Sequence, residues 1–326
     1  MDTVLYLIGK LLIRCAQTLP LRAVARLGRC AGVVAYWADR RHRRVAIENL
    51  LRAFPDRWTR DDADACAREH FRRLGESYCC ALKTAAMPWS ELAGHVEFVG
   101  VDQIHAWRQA HPTGSMIASI GHFGNFELYG RFNELARGFQ CASTYRGLRQ
   151  PGLNRLMVSL RERSGSKLFE RRSEAGALRN AMSSGGLLLG LFADQHAGDR
   201  GLPLPFLGRV CSTSPAPALF ALRYDAPLFV CVCYRVALAS WRIEVNPFIA
   251  THVDGAPRPI ADIMSDVNRQ YEDAIRRDPA NWFWVHNRWK PGKHRRVQPA
   301  PTDEAESDPA EEPSPLPGRA SGLNRG

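Results

Sequence analysis

From residue 97 onward the chain alternates short apolar runs with longer amphipathic ones, and this alternation restricts the fold more than any other feature. Runs at 114–120, 140–144, 167–170, 186–193, 227–236 and 241–246 read as strands; 125–137, 151–164, 173–183, 214–225 and 260–277 read as helices. Strands that are apolar throughout must be covered on both faces, and strands separated by helices pair mainly in parallel. The expected fold is therefore α/β, with a central mostly parallel sheet flanked by helices. With 326 residues the chain can bury a large core.

The region before the sheet has a different character. Residues 1–38 read as two amphipathic helices. In the first, Lys10 and Arg14 lie opposite Val4, Leu5, Ile8, Leu11 and Leu12; in the second, Arg22, Arg26 and Arg29 share a face. Apolar residues opposite a basic stripe suit a segment that docks on an anionic membrane surface. The same pattern fits a pair of packing helices with solvated arginines. No run of eighteen apolar residues is present, and no signal-peptide pattern. The expected organisation is a membrane-docking segment at 1–38, a catalytic body at 39–296 and a disordered acidic, proline-rich tail at 297–326.

Charge narrows the partners. The chain carries a net charge of +11, with twelve basic and four acidic residues in 1–60 and six acidic and two basic in 297–326. A basic body of this kind attracts phospholipid, nucleic acid or phosphorylated substrates. The interleaved basic and aromatic motifs of RNA-binding modules are absent, so no nucleic-acid partner is expected. The nine cysteines include no C-x-x-C pair, and no H-E-x-x-H, P-loop, G-x-G-x-x-G or G-x-S-x-G motif occurs. Neither a metal nor an organic cofactor is expected.

The chemistry concentrates where the 114–120 strand runs into Gly121-His122-Phe123-Gly124-Asn125-Phe126-Glu127. Ligands gather at the carboxyl ends of strands in open α/β sheets, which places His122 at such an edge. Its imidazole takes a proton at neutral pH. A carboxylate on the other ring nitrogen, for which Glu127 is the near candidate, would fix the tautomer. Gly124 allows close backbone approach to a ligand, and a helix start offers N–H groups to an oxyanion. These are the parts of base-assisted acyl transfer without a protein nucleophile, although a lone H-x4-E pair also fits a structural histidine.

The segment His122 to Glu127 resembles the H-x4-[DE] signature of the glycerolipid acyltransferase superfamily. With its internal Gly-Asn it is similar to the lipid A biosynthesis lauroyl/myristoyl branch. Asn49-Leu-Leu-Arg-Ala-Phe-Pro55, Tyr145-Arg146 with Pro151 and Asn154, Asp194-Gln195 with Pro203 to Gly208, and Pro279 to Lys290 resemble further blocks of that branch in the same order. The inserted Gly147-Leu148-Arg149-Gln150 lengthens one loop where the acceptor would bind.

The resemblance implies an O-acyltransferase at the cytoplasmic face of the inner membrane. It would move a fatty acyl chain from an acyl carrier protein thioester to a hydroxyl of an anionic glycolipid, most simply a lipid A precursor. A lysophospholipid, ornithine lipid or phosphoinositide mannoside is the alternative acceptor. His122 would be the general base and Glu127 would orient it. Gly124, Asn125, Arg146, Arg149, Arg163, Asp194 and Gln195 would contact substrate, and Arg161 is a further candidate for acceptor phosphate. Asp194 and Gln195 also fit a strand-end turn. His286, Arg288 and Lys290 fit a lock on the core, and Trp282, Phe283, Trp284 and Trp289 read as core or interfacial aromatics.

Overall fold

The computed structural model describes residues 2–134, 136 and 138–290, and the acidic tail expected at 297–326 lies outside them. Helices α1 (Asp2–Thr18), α2 (Leu21–Ala38), α3 (Arg40–Ala53), α4 (Arg60–Thr84) and α5 (Trp89–Leu92) precede strand β1 (Val96–Val99). There follow α6 (Asp102–Ala110), β2 (Met116–Ile120), β3 (Gln140–Tyr145), α7 (Pro151–Glu162), β4 (Lys167–Glu170), α8 (Ala175–Ser184) and β5 (Leu187–Phe192). The hairpin β6 (Leu202–Phe206) and β7 (Arg209–Thr213), α9 (Ala216–Arg223), β8 (Leu228–Ala237), β9 (Ser240–Val245), the short pair β10 (His252–Val253) and β11 (Ala256–Pro257), and α10 (Ile260–Arg277) complete the order.

Seven strands form one sheet in the order β1-β9-β8-β2-β5-β3-β4. Every neighbouring pair is parallel except β8 with β9. The apolar runs occupy the centre, and β2 is buried at every position. Side chains alternate between two apolar layers. Ile117, Leu189 and Val230 pack with residues of α3, α8, α9 and α10. Ala118, Leu188 and Cys231 pack on the other face with residues of α2, α4 and α6.

Three local features depart from the sequence expectations. The segment after His122, expected as an α-helix over 125–137, is a 3-10 helix at Phe126–Glu134. Its aromatics recur at every third position, Phe126, Tyr129 and Phe132, which matches the three-residue turn. Tyr129 is held there because its hydroxyl donates to the Cys231 carbonyl at 3.1 Å and accepts from the Cys233 N–H at 3.0 Å. Pro203 to Gly208, which lies outside the strands expected from the sequence, belongs to the β6–β7 hairpin, turned by Leu207 and Gly208 at φ 47° and 75°. In the N-terminal basic stripe, Arg22 and Arg26 are exposed, whereas Arg29 turns inward to Glu69 at 3.0 Å and Glu76 at 3.4 Å.

No helix among the described residues is long and apolar enough to cross a membrane. Helix α1 has no buried residue. The Asp2 carboxylate accepts the Gly152 N–H at 2.9 Å, capping the start of α7. Near its other end the Gln17 amide donates to the Leu82 carbonyl at 3.0 Å on α4.

Candidate active site

Strands β2 and β5 lie side by side in parallel, with Ile120 opposite Phe192. Two residues beyond that pair, each chain leaves the sheet at a functional side chain, His122 and Asp194. Oδ1 of Asp194 lies 2.9 Å from Nδ1 of the imidazole. Its other oxygen accepts the His122 backbone N–H and the Trp282 indole N–H, both at 2.9 Å. Asp194 is fully buried. Burial alone would raise its pKa, but the imidazole and these donors outweigh it and hold the carboxyl below its ordinary range. An ionised Asp194 fixes the proton on Nδ1 and leaves Nε2 as the basic nitrogen.

The imidazole sits among aromatic rings, 4.4 Å from Phe192, 4.9 Å from Phe126 and 5.6 Å from Phe283, centroid to centroid. Phe126 and Phe192 also line a cavity of about 480 Å³. Its walls come from the β2, β5 and β3 face of the sheet, from α4 and from the 3-10 helix. Leu153, Leu156 and Leu160 of α7, and Leu12 and Ile13 of α1, close the outer side. The lining is largely apolar and its volume is that of a small-molecule site.

Glu127 is not the imidazole's partner. Its carboxylate receives both Nε and an Nη of Arg161, at 2.8 and 2.6 Å, and the pair sits in the cavity wall. This corrects two expectations: the orienting carboxylate on Nδ1 is Asp194, and Arg161 is not a free phosphate binder. The tighter 3-10 turn and the waiting guanidinium on α7 together direct Glu127 away from His122.

The remaining site candidates divide into three groups. Arg146, Arg149 and Arg163 are exposed, and their guanidinium groups have no hydrogen bond or ion pair among the described residues. Asn125 is buried, and its side-chain amide has no protein partner among the described residues. Gln195 is half-buried, and its carbonyl accepts from Arg288 at 3.0 Å. Gly124 closes on the protein rather than on a ligand: its N–H donates to the Asn281 carbonyl at 3.0 Å. At φ 50° a Cβ there would meet the Cys233 carbonyl at 2.6 Å. The Phe123 N–H likewise bonds within the protein, to Gly121. The Phe123 and Gly124 amides are therefore committed within the protein.

The C-terminal signature braces this arrangement. Arg288 is buried and donates to the Gln195 carbonyl, the Ser212 carbonyl and, at 2.8 Å, the Thr213 hydroxyl. The Nε2 of His286 accepts the His196 N–H at 3.1 Å, so that ring is neutral, and burial holds its pKa down to about 4. From α3, the Asn49 amide donates to the carbonyls of Trp284 and His286 at 2.9 and 3.0 Å. Trp282, expected as a core aromatic, also serves as an Asp194 donor. Nothing in its local sequence distinguishes it from its aromatic neighbours.

A family model described as bacterial lipid A biosynthesis acyltransferase matches residues 2–291. The chain is 27% identical over 286 residues to the lipid A biosynthesis palmitoleoyltransferase of Escherichia coli (strain K12). It is equally similar to a lipid A biosynthesis acyltransferase of Shigella flexneri. Each alignment covers 83% of this chain and 86% of the relative.

Proposed function

The chain belongs to the bacterial lipid A biosynthesis acyltransferase family and is an O-acyltransferase, and from that premise we propose that it transfers a fatty acyl chain from an acyl carrier protein thioester to a lipid A precursor with His122 as general base. One observation carries the reading: an imidazole oriented by a buried carboxylate stands at the edge of an apolar cavity.

The acyl chain lies in that cavity, with its thioester carbonyl near Phe192 and His122. Nε2 accepts the proton of the acceptor hydroxyl as its oxygen attacks the carbonyl carbon. The tetrahedral intermediate collapses, the carbon–sulfur bond breaks, and the thiolate recovers the proton from the imidazolium. Ester and free thiol are the products. Asp194 keeps Nδ1 protonated and stabilises the imidazolium while it exists; it is a positioning residue. Glu127 acts through Arg161, fixing that guanidinium in the cavity wall beside the reacting carbonyl.

Arg146, Arg149 and Arg163, exposed and with side chains unpartnered among the described residues, supply guanidinium groups for the phosphates of an anionic glycolipid. On the α1–α2 surface, Val4, Leu7, Leu11, Leu27, Val34 and Trp37 are exposed beside exposed Lys10, Arg14, Arg22 and Arg26. Such a face supports docking at an anionic membrane interface.

The test is acyl transfer followed by lipid mass spectrometry. The purified enzyme receives acyl carrier protein thioesters and an under-acylated lipid A precursor. A gain of one acyl chain, reduced about 10²–10⁴-fold in His122→Ala, is expected. Undiminished transfer by His122→Ala would overturn the assignment of the base.

A further inference from the structure

Resting on the proposal that the cavity holds the acyl chain, we infer that Gly190, with Ala118 and Ser143 beside it, determines the length of chain the enzyme accepts. The inference comes from the register of three adjacent strands. On the cavity face, Ile120 of β2 stands opposite Phe192 of β5. One step down that face, Ala118, Gly190 and Ser143 form a row across β2, β5 and β3. One further step down, Leu188 stands opposite Cys141. All of these except Leu188's other neighbour, Met116, line the cavity. A row of small residues thus lies between a bulky row at the His122 end and Leu188 at the floor.

Gly190 is the informative position. It interrupts a run of leucines, where glycine weakens a strand. Its backbone does not require glycine, because its φ is not in the left-handed region. Packing does not require it either: a Cβ would come no nearer to its surroundings than 3.1 Å from Cδ1 of Ile120, the tip of a flexible side chain, and 3.6 Å from the Ala142 carbonyl. What the missing side chain leaves open is the cavity. Successive same-face positions on a strand are roughly 7 Å apart. A chain entering beside Phe192 therefore passes over Gly190 before reaching Leu188.

The experiment measures transfer by wild type, Gly190→Leu, Gly190→Ala and Leu188→Ala, each offered a graded series of saturated acyl carrier protein thioesters from short to long, in competition. Thermal melting reports folding of each variant. Gly190→Leu should favour shorter donors over the wild-type optimum by about 10-fold or more, the discrimination expected for methylenes in an apolar pocket. Gly190→Ala should shift the profile in the same direction and less, and it serves alone if the leucine variant does not fold. Leu188→Ala, which deepens the floor, should shift it toward longer donors. Transfer at an unchanged length profile in the folded variants overturns the inference and leaves the acyltransferase reading intact. Failure of the wild type to use any donor overturns the reading, and the inference with it.

Discussion

Replacing Asp194 by asparagine should disarm His122 while leaving the fold in place, and the geometry says why. One carboxylate oxygen accepts two N–H groups, from the His122 backbone and the Trp282 indole, each at 2.9 Å. Both groups are obligate donors. The asparagine carbonyl must occupy that position, since turning the NH₂ toward them would strand two buried donors at about 1–3 kcal/mol each. The NH₂ then lands 2.9 Å from Nδ1, where Oδ1 stood. It can only donate, so Nδ1 must give up its proton and Nε2 must carry it. A protonated Nε2 cannot accept a proton from a hydroxyl. The loss combines removal of a positioned base, about 10²–10⁴-fold, with loss of the charge that stabilises the imidazolium. The upper end, about 10⁴-fold or roughly 5 kcal/mol in the barrier, is expected. The assay is kcat for acyl transfer by mass spectrometry, alongside the melting temperature and KM, both expected near wild type. A folded Asp194→Asn enzyme with kcat within tenfold of wild type would refute the argument that this carboxylate sets the tautomer.

Asn49→Ala removes the donor shared by the Trp284 and His286 carbonyls, and should lower stability by about 1–3 kcal/mol, read as a reduced urea midpoint. Arg146→Gln, Arg149→Gln and Arg163→Gln break no side-chain hydrogen bond or ion pair among the described residues, so stability should stay within about 0.5 kcal/mol of wild type. Their KM should rise for a phosphorylated acceptor and not for its dephosphorylated form. Burial holds His70 and His286 neutral down to about 4 from an ordinary value of 6.5. Between those values the unfolded chain binds protons that the folded one refuses, so stability is lost as pH falls from about 6.5 to 4, by up to about 3 kcal/mol for each ring. A melting temperature that stays flat across that window would contradict the burial of these rings as neutral groups.

The sequence by itself determined the sheet, because uninterrupted apolar runs such as 187–193 have no stable place except between two covering layers. It also determined that His122 stands at a strand's carboxyl end, since the strand and the histidine are contiguous. What it left open was which groups meet that histidine. Glu127 is five residues away along the chain, yet a three-residue turn carries it to Arg161. Asp194 is 72 residues away, yet it touches the ring. That meeting depends on β5 lying beside β2, with β3 and β4 passed to the far side, and on Ile120 facing Phe192. Strand order and register are properties of the packed sheet, because no local propensity records which strand will be a neighbour. The same register turns isolated small residues on β2, β5 and β3 into one row, and so tertiary structure alone decides that the chain encloses a cavity there.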